Sequence, residues 1–156
     1  FLLTHPVSRT QVVSAKLGGV LLQVLLLNGI IFLLAVGSTW FIGEDIPWRE
    51  LGLLHLAYLL LQVELAGLCF GLSAFLGRSS QGAGLGVAIG AYFLSLLANI
   101  SEGARWLRWV TPFSYASGAD IMAEGTLEIP LVLLGLGYGL LGIVFAYVWY
   151  QRKDIR

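Results

Sequence analysis

Charge is scarce in this chain. Nine Lys and Arg and nine Asp and Glu make up 12% of its 156 residues, and the net charge is zero. A soluble domain is usually about 25% charged. No basic surface offers a footprint for nucleic acid, so no nucleic-acid partner is expected. Cysteine is nearly absent: Cys69 stands alone in an apolar run and can form neither an intrachain disulfide nor a metal site by itself. The two histidines, His5 and His55, lack partners at metal-ligand spacing and read as interfacial or loop residues. No Ser/His/Asp or Cys/His set can be assembled at one depth, and no G-x-x-x-x-G-K-[ST] loop is available to cradle phosphate.

Apolar sequence fills the space instead. Hydrophobic residues make up 58% of the chain, and the mean hydropathy is +0.85. Four runs are long enough to cross a bilayer: residues 17–42, 53–76, 82–100 and 131–150. The first would rise about 39 Å as a helix, against a hydrocarbon core of ~30 Å. The fold class expected is therefore all-α, a polytopic integral membrane bundle with four transmembrane helices. The chain opens at Phe1 with neither Met nor a signal-peptide pattern, so it is expected to be a fragment of a longer protein.

The connecting segments have distinct characters. Residues 1–16 carry Ser8 with Gln11 three positions on, a capping box, flanked by Val7 and Val12 as a hydrophobic staple. A helix should start near Arg9 and run into the first span, serving either as a membrane anchor or as a lever. Trp40 and Trp48 bracket the loop at 43–50 as interface anchors. Residues 101–130 form the long polar segment. Trp106, Trp109, Val110 and Phe113 recur there at helical spacing, giving a short interfacial helix that Pro112 should end or bend. A second short helix is expected over residues 117–124, with Gly125 in the stop position.

Lys and Arg counted by loop set the orientation. The first stretch, the loop at Arg78 and the tail at 151–156 hold six, whereas the other two loops hold Arg49, Arg105 and Arg108. The positive-inside rule then places both ends of the chain in the cytoplasm.

Glu64 is the one ionisable side chain deep in a span. Intramembrane carboxylates usually face a bundle interior or a wet cavity. Asn28, near the middle of the first span, could sit at similar depth and share a hydrogen bond with it. Glu64 reads either as a cavity or substrate-contact group or as a structural glutamate, protonated or amide-paired. Among the glycines, Gly82, Gly86 and Gly90 form one small-residue face, and Gly135 and Gly139 another. Residues 137–142 formally match a dinucleotide fingerprint, but no strand precedes them and they lie inside a span.

Three stretches, LLTHPVSRTQVVSAK, WLRWVTPFSYASGADIM and the closing YVWYQRKDIR, occur in an order that resembles the permease subunits of ATP-binding-cassette transporters of the type 2 exporter class. The resemblance implies six spans, of which this chain holds the third to sixth. It assigns Pro6, Ser8, Arg9 and Lys16 to the end of a cytoplasmic loop that couples to the ATPase. It also makes the segment with Trp106, Trp109, Pro112, Phe113, Tyr115 and Asp120 part of an outer lid. It implies a cytosolic ATP-binding cassette subunit that holds ATP and Mg, no cofactor in this chain, a second permease in a homo- or heterodimer, lipid contacts, and the cytoplasmic membrane of a prokaryote. The chain itself would be a transport subunit and not an enzyme, moving an unidentified substrate. The alternative is a non-transporting adaptor or sensor subunit attached to an ATPase.

Overall fold

The computed structural model describes residues 8–76 and 80–152. Helices α1 (Arg9–Phe41), α2 (Trp48–Leu76), α3 (Ser80–Ile100), α4 (Gly118–Glu124) and α5 (Ile129–Arg152) make up most of it, and no strand occurs among the described residues. Four of them, all but α4, are long and apolar enough to cross a membrane. The chain is an all-α membrane bundle.

The start of α1 follows from its first four residues. Ser8 Oγ accepts the Gln11 N–H at 3.2 Å, and Gln11 Oε1 accepts the Ser8 N–H at 2.9 Å, so the capping box forms as the spacing dictates. Val7 of the expected staple lies outside the described residues. With its first donors satisfied, the helix runs unbroken for 33 residues, about 50 Å at 1.5 Å per residue. Ser8→Ala should cost about 1 kcal/mol of cap energy. Faster amide exchange confined to the first turn of α1 would register it.

Only a narrow stripe of α1 is covered. Val13 and Asn28 are buried, Val24 and Phe32 are half-buried, and Leu22, Leu26, Leu33 and Leu34 stay more than half exposed. Among the described residues α1 packs only on α2 and α5. Gly43, at φ +76°, turns the chain toward Trp48.

The tightest pairing is between α2 and α5. A Cβ on Gly139 would sit 2.9 Å from Glu64 Cα, one on Gly142 2.9 Å from Leu68 Cα, and one on Gly71 2.7 Å from the Gly142 carbonyl oxygen. These distances are impossible for a real Cβ, so glycine alone lets the two backbones meet. Gly135 and Gly139 thus pack helices, as their spacing suggests. The other small-residue face behaves differently: Gly82, Gly86 and Gly90 have nothing within 4 Å and point away from the rest of the described chain.

Both ends of the described chain lie at one end of the bundle, where Ser14 of α1 meets Tyr147 of α5 at 2.7 Å. The opposite end carries the segment between α3 and α5. It opens as a 3₁₀ run, Glu102–Trp109, in place of a regular amphipathic helix. Pro112 then starts a second 3₁₀ turn, Pro112–Tyr115. Helix α4 follows, capped by Ser117 and stopped by Gly125 at φ +61°. This matches the expected stop, because only glycine takes that conformation without strain.

Candidate functional site

Glu64 lies midway along α2 and is fully buried, at 0% exposure. Two neighbours explain how a carboxylate fits there. Gly135 on α5 has no side chain, and a Cβ on it would collide with the Glu64 carboxyl group. Tyr115, itself buried, donates its hydroxyl to Glu64 Oε2 at 2.9 Å. The second carboxyl oxygen, Oε1, has no protein partner among the described residues. Burial first, and the Glu64 carboxylate second, push the Tyr115 phenol above its ordinary range, which keeps it a donor.

Tyr115 is placed by a chain of local contacts. Thr111 Oγ1 accepts the Phe113 N–H at 3.4 Å and donates to the Ala91 carbonyl of α3 at 2.7 Å. Phe113 packs edge-on against Tyr92, ring centres 5.7 Å apart. Tyr138 of α5 donates to the Trp109 carbonyl at 3.1 Å, and Arg108 pairs with Glu128 at the start of α5. Beneath these ties, Tyr115 joins Ala57, Leu61, Ile121, Leu131 and Val132 in one apolar cluster. Residues 102–124 are therefore fastened to α2, α3 and α5, and no part of them touches α1.

The residues singled out from sequence fall into three places. Ser8 caps α1 and Lys16 is exposed near its start, while Pro6 and the Arg9 side chain lie outside the described residues. Trp106, Trp109 and Asp120 are exposed, Phe113 is half-buried, and Pro112 and Tyr115 are buried. Asn28 and Glu64 are not brought together. Asn28 Nδ2 donates instead to the His55 carbonyl at 3.4 Å, and Glu64 pairs with Tyr115. Nor does Glu64 line open space in this conformation, since it is sealed on all sides.

His55 is a correction. It is not in a loop, but sits inside α2 at 7% exposure. Its Nδ1 lies 2.9 Å from the Leu51 carbonyl, an acceptor only, so Nδ1 carries the proton. Phe32 of α1 packs edge-on against its ring at 5.0 Å between centres. The loop reading fails because α2 begins at Trp48, ahead of the apolar run that marks the span. Tyr138, Tyr147 and Ser14 also escape the sequence reading; a hydroxyl inside an apolar helix is the signal that could have found them. Among the described residues, no group of three or more His, Cys, Asp or Glu converges on a point where a metal could bind.

Four membrane-length helices packed around a buried carboxyl–phenol contact define a polytopic α-helical membrane protein. The chain belongs to the ABC-2 family transporter proteins, whose family model it matches over residues 1–155. Comparison with curated proteins and with solved structures returned no match. Family membership supports a permease role for this multi-pass membrane protein, and members generally work with an ATP-binding subunit.

Proposed function

We propose that this chain is the membrane-spanning subunit of an ATP-driven exporter, powered by a separate cassette subunit and working beside a second permease in the cytoplasmic membrane. The observation that carries the reading is the division of the bundle into two attachments. The far segment is bound to α2, α3 and α5 through Tyr115–Glu64 and its neighbours, whereas α1 is free of it and packs on one stripe only. A push on the capped start of α1 would then reach the far segment through α2 and α5. ATP and Mg belong to the cassette subunit in this scheme. With both ends of the chain cytoplasmic, residues 102–124 form the outer lid, and Glu64 anchors that lid. Export would require the anchor to loosen and expose the carboxyl group to a cavity.

The open glycine stripe on α3 and the leucine face of α1 are the surfaces this reading gives to the second permease and to lipid.

Arg9 lies at the first turn of α1, where the coupling loop would bear on the helix. Arg9→Glu should lower the stimulated ATPase activity of the full permease–cassette complex several-fold while leaving the cassette bound. Unchanged stimulation would remove the lever. Cassette binding without any substrate-dependent flux in vesicles would instead indicate an adaptor or sensor.

A further inference from the structure

The α2 and α5 helices form a post joined along its length: Gly139 on Glu64, Gly142 on Leu68, and Phe75 edge-on to Trp149 with ring centres 5.1 Å apart. Among the described residues, α1 makes polar or aromatic contact with this post at two places. One is midway, where Asn28 reaches the His55 carbonyl and Phe32 meets the His55 ring. The other is at the end where the described chain begins and finishes; there Ser14 and Tyr147 share a hydrogen bond of 2.7 Å beside buried Val13 and Ala146.

The Ser14 contact is unlike those that Ser38, Thr39 and Ser73 make in these helices. Ser38, Thr39 and Ser73 each donate to a carbonyl one turn back in their own helix. That is the usual resort of a helical hydroxyl. Ser14 instead reaches across to a residue 133 positions away. Its neighbourhood is half open, with Ser14 exposed and Tyr147 half-buried, so water or lipid headgroups can take over both hydroxyls if the bond opens. A contact of this kind is weak and reversible. Interhelical hydrogen bonds in membranes average roughly threefold in an equilibrium constant.

We propose that Ser14 and Tyr147 form a clasp that holds the first turns of α1 on the α2–α5 post at rest, and that the drive on α1 opens it. With the clasp open, α1 turns on its Asn28–His55–Phe32 contact, which stays closed and carries the motion into α2. Ser14 and Tyr147 are thus positioning residues, and the drive half of the proposal rests on the permease reading above.

Two measurements test it, the first without any ATPase. In lipid nanodiscs, Tyr147→Phe in the full chain should speed amide exchange over residues 9–20 about threefold. Residues 29–41 should be unchanged. Ser14→Ala should do the same, and the double variant no more than either, because one bond is lost in all three. Unaltered exchange, or effects that add, would overturn the clasp. The second uses Ser14→Cys with Tyr147→Cys in a Cys69→Ala background, assembled with its cassette subunit. A tyrosine hydroxyl stands too far from its own Cβ for the two thiols to bond directly, so a short bis-methanethiosulfonate linker bridges them. The bridge should form at rest and stop ATP turnover, and reductant should restore it. Failure to cross-link contradicts the resting contact, and full turnover while cross-linked contradicts its opening. If the unmodified complex shows no cassette-dependent turnover, the permease reading falls and the drive with it, while the exchange result still decides whether the clasp holds α1.

Discussion

Replacing Gly139 by leucine should break the α2–α5 pair, whereas the same replacement at Gly86 should leave the isolated chain as stable as before or slightly more so. The two glycines look alike in sequence, each within a small-xxx-small spacing in an apolar helix. Their surroundings differ. A Cβ on Gly139 would lie 2.9 Å from Glu64 Cα and 3.3 Å from the Glu64 carbonyl oxygen, and both are backbone atoms that no rotamer change can move. Overpacking usually costs about 1–3 kcal/mol, occasionally more, and a backbone-to-backbone clash belongs at the upper end. At Gly86 nothing lies within 4 Å, and a helical glycine replaced by leucine gains up to about 1 kcal/mol in propensity. Heating in detergent followed by size-exclusion chromatography separates the outcomes. Equal melting of the two variants would mean that the seam does not hold the bundle.

Tyr115→Phe is the second large effect. The substitution keeps the ring in its apolar cluster and removes only the hydroxyl, so Glu64 loses its one partner among the described residues while still shut away from water. An unpartnered buried polar group costs about 1–3 kcal/mol, and more if it is charged. Loss of order should begin in residues 102–124, because the Tyr115 hydroxyl ties them to α2. Glu64→Gln keeps a hydrogen-bonding group of the same size and should be milder. The combination Glu64→Gln with Tyr115→Phe should cost less than the sum of the single changes, since both act on one contact. Limited proteolysis in the 102–124 segment and thermal stability read this cycle. Strict additivity would show that the two side chains do not act together.

Features set by neighbouring residues are legible in the sequence alone. The Ser8–Gln11 box and the Gly125 stop depend on a few consecutive positions, and the four apolar runs depend on composition alone. That Glu64 must be accommodated inside the bundle is also legible, because a carboxylate in a span demands a partner. Which partner is not. Asn28 is the nearest polar candidate by depth, whereas the actual donor comes from a 3₁₀ turn 51 residues further on. Tyr115 reaches Glu64 only because Pro112 and Thr111 fold the far segment back onto α2, a long-range event with no periodic signature. The two glycine faces illustrate the same limit. Spacing shows that a face is small but not what lies opposite, so only the helix arrangement distinguishes Gly135–Gly139 from Gly82–Gly86–Gly90. The same holds for His55, whose burial follows from Phe32 packing across from α1.

In the proposed mechanism α1 receives work from a separate ATPase and passes it to the far segment through α2 and α5. Vanadate-sensitive ATP hydrolysis by the cassette subunit, measured with the permease in nanodiscs, tests this most directly. Hydrolysis should rise several-fold when the permease is present, and Tyr115→Phe, at the far end of the bundle, should change that stimulation without releasing the cassette. A cassette that binds the permease yet hydrolyses ATP at the same rate with wild type, with Tyr115→Phe and alone would contradict it.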